Sequence, residues 1–110
     1  MTEQSIAEQP STLYAKLLGE TAAITWPELQ PFFARGTLLL VEGTQDLIEV
    51  AQAVAQNDHV KVAAWLESGL LSRLDDSRAE SLLKRNPALW AVVVAPWVLA
   101  QERSERAPLH

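Results

Sequence analysis

Three carboxylates, Glu42, Asp46 and Glu49, lie where an apolar run passes through Gly43 into a helical pattern. Oxygen ligands crowded at such a junction are the type that hold a hard divalent cation, so these three are the candidate metal ligands of the chain. The same residues also admit a local reading. Acids in the first turn of a helix offset its dipole, and Asp46 to Glu49 is capping-box spacing. The junction has a single glycine and matches neither GxGxxG nor GxxxxGK, so it is no phosphate cradle.

Other chemistry has little to build from. The chain has no cysteine, which removes thiolate metal sites and thiol nucleophiles. Its two histidines are His59, beside Asp58 at a helix start, and the final residue His110. No HExxH spacing occurs, and the serines fall at caps, turns or tails outside any GxSxG elbow. No catalytic residue and no cofactor is expected; the leading reading is non-catalytic, and the alternative is a carboxylate-based divalent-metal site or enzyme at Glu42, Asp46 and Glu49.

The elements that would position these residues follow from pattern and punctuation. Ser11 can cap a helix carrying Leu13, Tyr14, Leu17 and Leu18 and running to about Ile24. Thr25 and Glu28 have capping-box spacing, Pro27 suits a first turn, and Pro31 should make this second helix short or kinked before Gly36 ends it. Thr37 to Val41 is a short apolar strand. Leu47, Val50, Ala51, Val54 and Ala55 form one stripe of a helix capped by Thr44 or Asp46. Asn57-Asp58 opens the next helix, which stops at Gly69, and Ser77 with Glu80 starts a last one that stops at Asn86-Pro87.

The thirteen-residue stretch ALWAVVVAPWVLA, Ala88 to Ala100, contains no charge. As a helix it would span only ~20 Å against a hydrocarbon core of roughly 30 Å, and its valines and tryptophans favour a strand. Pro96 should interrupt it, leaving pieces at Leu89–Val94 and Trp97–Gln101. Neither face of the first piece is polar, the pattern of a strand buried on both sides. Few strands are visible elsewhere. The expected fold is α+β, about five short helices packed on a small sheet with one long C-terminal apolar strand.

A chain this short would struggle to cover both faces of that strand. The open face would then present Trp90, Val92, Val94 and Trp97 to a second copy, so the expected partner is itself, as a homodimer. The domain should occupy residues 11–101, between a flexible start, 1–10, and a flexible charged tail, 102–110.

Charge narrows the partners further. The net charge is −5, and residues 1–56 alone carry seven acids against two bases. That disfavours a phosphate backbone or an anionic membrane surface. The helix–break–helix of EVAQAVAQNDHVKVAAWLESGLL still admits a helix-turn-helix alternative, which would need a basic surface joining Lys61, Arg73, Arg78, Lys84 and Arg85. Tryptophans at 26, 65, 90 and 97 lack the interleaved Lys and Arg of a base-stacking platform and read as core or interface. The start MTEQSIAEQP has no positive flank or apolar core of a signal peptide, which fits the cytoplasm.

Taken together, LYAKLLGETAAITWPELQPFFARGTLLLV, DLIEVAQAVAQND, VAAWLESGLL and LWAVVVAPWVLAQ resemble the small bacterial proteins grouped as domain of unknown function 2288. The resemblance covers roughly Leu13 to Gln101. It implies a bacterial, cytoplasmic protein and brings no activity, ligand or site residue. The functional expectation is a small non-catalytic interaction or regulatory module that self-associates through its C-terminal strand.

Overall fold

The computed structural model describes residues 3–103, with the side chains of 3–11 excepted. Residues 1–2 of the expected flexible start and 104–110 of the expected tail lie outside the described residues. The elements run α1 (Glu3–Glu20), β1 (Ala22–Ile24), α2 (Trp26–Arg35), β2 (Leu38–Val41), α3 (Leu47–Ala55), α4 (His59–Ser68), β3 (Leu71–Arg73), α5 (Asp76–Arg85), β4 (Leu89–Val94) and β5 (Trp97–Glu102). This is an α+β fold.

Local chemistry sets most boundaries. At the start of α2 the Glu28 carboxylate accepts from the Thr25 amide at 3.0 Å and from its hydroxyl at 3.2 Å. Asp46 caps α3 by accepting from the amides of Ile48 and Glu49, and Asp58 caps α4 by accepting from that of Lys61. Gly36 and Gly69 end their helices in the left-handed region, with φ of 79° and 86°. Pro31 sits inside α2 without ending it.

Three boundaries differ from the sequence reading. Helix α1 begins at Glu3, ahead of the expected Ser11 cap, and ends at Glu20; Ala22–Ile24, expected as its last turn, pairs instead with β4. Ladder bonds offered by an existing strand outweigh the modest helix preference of two alanines. The cap of α5 is Asp75, which accepts from the Arg78 amide at 2.8 Å, in place of Ser77. The final apolar run does break at Pro96 as expected, into two strands that form a hairpin turning through Ala95 and Pro96 across a cis peptide bond.

The sheet has five strands in the order β1-β4-β5-β2-β3, mixed, with β2 and β5 parallel and every other neighbour antiparallel. β4 and β5 are thus interior strands with core residues on both faces, although Trp90 and Val93 of β4 stay exposed. Leu39, Val92 and Leu99 point to one face, where Leu17 of α1 and Leu47, Ile48, Val50 and Ala51 of α3 cover them. Leu38, Leu89, Ala91, Val98 and Ala100 point to the other, under Trp26 and Leu29 of α2 and Ala79 and Leu82 of α5. The chain does cover both sides, contrary to the expectation from its length. The short strands β1 and β3 widen the sheet so that helices can be distributed over two layers.

Candidate functional site

The three carboxylates do different local work. Glu42 accepts from the amide and hydroxyl of Thr44, at 3.1 and 2.9 Å. Those bonds, the backbone one first, hold its pKa below the ordinary carboxylate value, with help from the charge of Arg78. One oxygen of Asp46 caps α3, and the other accepts from the Tyr14 hydroxyl at 2.7 Å. Glu49 is exposed on the first turn of α3. Among the described residues no group of three His, Cys, Asp or Glu side chains is placed to hold a metal ion.

The four residues expected at an interface are not one patch. Val92 is 1% exposed, part of the core beneath α3. Trp90 is 39% exposed at the β1 side of the sheet, with the Arg103 guanidinium 4.6 Å above its ring. Val94 and Trp97 are half-buried at the opposite end of the hairpin, where they pair across the turn. About 13 Å of strand separates residues 90 and 94 at the usual rise.

Val94 and Trp97 belong to an apolar cleft. It has a volume of about 680 Å³ and lies between α4 and the hairpin turn. His59, Val62 and Leu66 form its α4 wall; Val94, Pro96 and Trp97 form the facing wall. Asp58 stands at one rim and Arg73 at another, the guanidinium 5.4 Å from the Trp97 ring centroid. A size of this order with apolar walls and a few polar groups is that of a binding cleft. The sequence reading did not find Arg73 here, because a three-residue strand leaves no periodicity to detect.

A polar cleft of about 420 Å³ lies on the opposite face of the sheet. Its polar lining is Glu42, Ser72, Arg78, Ser81, Arg85 and Glu102, with Gly43 and Gly69 at its edge. Arg85 donates two bonds to the Glu102 carboxylate, at 3.0 and 2.8 Å, and one to Ser81 at 2.9 Å. The pairing lowers the pKa of Glu102 and raises that of Arg85. These residues come from five separate segments, and no local motif links them.

The arginines and lysines named for a nucleic-acid surface are dispersed. Arg73 lines the apolar cleft, Arg78 and Arg85 the polar one, and Lys84 pairs with Glu80 at 3.5 Å. Helices α3 and α4 turn Val54, Val62 and Trp65 onto the sheet core.

The elements together define a small three-layer α+β domain. Residues 12–102 match the family model described as "Protein of unknown function (DUF2288)", and the chain belongs to that family. It is similar to the solution structure of PA1075 from Pseudomonas aeruginosa, with 64% sequence identity and a TM-score of 0.78 over 94% of this chain and 95% of that one. No curated protein matches it. No helix among the described residues is long and apolar enough to cross a membrane.

Proposed function

We propose that the protein is a non-catalytic interaction module of the bacterial cytoplasm, and that it self-associates through α4 and the β4–β5 turn. One observation carries this reading. Six of the ten residues of α4, HVKVAAWLES, are apolar, yet none is fully buried, and Val60 and Leu66 are 80% and 47% exposed. Apolar side chains of α4 left exposed beside an apolar cleft form the surface expected of a recognition site.

A second copy fits that surface better than a charged partner does. The rims of the cleft carry one acid, Asp58, and one fixed cation, Arg73. A twofold interface places each residue against its counterpart's neighbour, so Asp58 of each copy can face Arg73 of the other. The absence of cysteine suits a reducing compartment, and the bacterial origin of the similar structure supports the assignment to bacteria.

Light scattering on a sizing column tests the reading with wild type, Leu66→Glu and Arg73→Glu. Both side chains are exposed, so neither change should unfold the chain. A wild-type dimer that becomes a folded monomer in both variants is expected. A wild type that stays monomeric at millimolar concentration overturns self-association.

A further inference from the structure

The polar cleft on the other face has a charge pattern of its own. β2 and β5 run parallel as neighbours, and the cleft opens where their carboxyl ends meet, beside Glu42 and Glu102 and beneath α5. In α/β sheets that end of the strands is where ligands most often sit.

Two of its four charges neutralise one another. Arg85 is held bidentately by Glu102 and through its Nε by Ser81. Arg78 and Glu42 remain. Arg78 makes no side-chain hydrogen bond or ion pair among the described residues, yet its charge reaches both Glu42 and Glu102. Glu42 uses only Oε1 for Thr44, which leaves Oε2 without a partner among the described residues. Ser72 adds a hydroxyl. A Cβ placed at Gly43 or Gly69 would meet no atom within 4 Å, so both edges are open.

We propose that this cleft binds a small zwitterion, a free α-amino acid or a compound with the same paired ammonium and carboxylate groups. Arg78, with Ser72, receives the carboxylate, and Glu42 receives the ammonium. A phosphate would meet two carboxylates, and a simple amine would meet two guanidiniums, so neither matches a lining that is neutral in sum. The volume of about 420 Å³ suits a ligand of this size and falls in the lower part of the range for small-molecule sites.

The test is an amide NMR titration of the full chain with pooled L-amino acids at millimolar concentration, with acetate, ethylamine and inorganic phosphate as separate arms. The expected result is saturable shifts at Gly43, Gly69 and Ser72 from at least one pool. Acetate and ethylamine each bind at least about tenfold more weakly, and so do folded Arg78→Gln and Glu42→Gln with that pool, since each loses one charge-assisted contact. No saturable shift from any pool overturns the proposal. So does an equal response to acetate or phosphate, which would mean an anion site only, or undiminished binding in Arg78→Gln.

Discussion

Arg85, in the last turn of α5, grips Glu102, the last residue of β5, through two parallel hydrogen bonds of 3.0 and 2.8 Å. The pair closes one wall of the polar cleft and ties the fifth helix to the centre of the sheet. Its strength is limited by water, because the side chains are 50% and 39% exposed. A coupling of about 0.5–1 kcal/mol is expected at neutral pH.

The pH dependence of that coupling follows from its direction. Glu102 titrates below its ordinary value in the folded chain, chiefly through its bond to Arg85. Its contribution is therefore full above the unfolded carboxylate value, about 4.3, and is lost as pH falls through the lowered folded value. A double-mutant cycle of Arg85→Gln and Glu102→Gln by urea unfolding should show coupling at neutral pH that fades in acid. Equal coupling at both would contradict the ion-pair account.

Tyr14 is the only tyrosine of the chain, so its titration can be followed by ultraviolet absorbance alone. The hydrogen bond to Asp46, then burial and the charges of Asp46 and Glu49, push its pKa above the ordinary tyrosine value. The stabilisation is complete below the unfolded value, about 10, and disappears as pH rises through the raised folded one. Asp46→Asn should bring the titration down toward the ordinary range. Asp46→Ala also removes the α3 cap and should cost about 1–2 kcal/mol in a urea melt.

Gly19 and Gly69 should respond to alanine in opposite directions. Neither position has an atom within 4 Å of the new Cβ, so packing is equal and backbone conformation decides. At φ of 86°, Gly69→Ala should lose about 1 kcal/mol. Gly19, within α1, should gain up to about 0.5–1 kcal/mol from the same change. Thermal melts of the two variants should fall on either side of wild type.

Among the described side chains, the indole N–H of Trp26 is buried without a hydrogen-bond partner. Trp26→Phe removes that unsatisfied group while keeping a ring beside Phe33, whose centroid lies 5.7 Å away. The two effects offset, and the net cost should stay below about 1.5 kcal/mol. Leu99→Ala has no such compensation at a fully buried site and should cost about 2–5 kcal/mol. Urea midpoints that reverse this order would mean that the Trp26 donor is satisfied in solution.

Much of this architecture is legible before folding. Asp46, Asp58, Gly36, Gly69 and Asn86-Pro87 mark helix ends because caps and left-handed turns act through neighbours in the chain. Strands β1 and β3 were hidden because three residues carry no periodicity; they are strands only because β4 and β2 offer them hydrogen-bonding partners. The clefts were hidden for a similar reason. Glu42, Ser72 with Arg78, and Glu102 share a lining although these three places lie far apart in the chain.

By itself, the sequence determined the segments whose structure depends on neighbouring residues: the helix starts and stops, the break at Pro96, and the two-sided apolar character of Leu89–Val94. Only the tertiary structure decided what covers that strand. An apolar side chain requires removal from water but does not specify which surface removes it. Strand order and the division of the helices between two faces answered that for Val92 and Leu99, and left Val60 and Leu66 of α4, Trp90 and part of Trp97 at the surface.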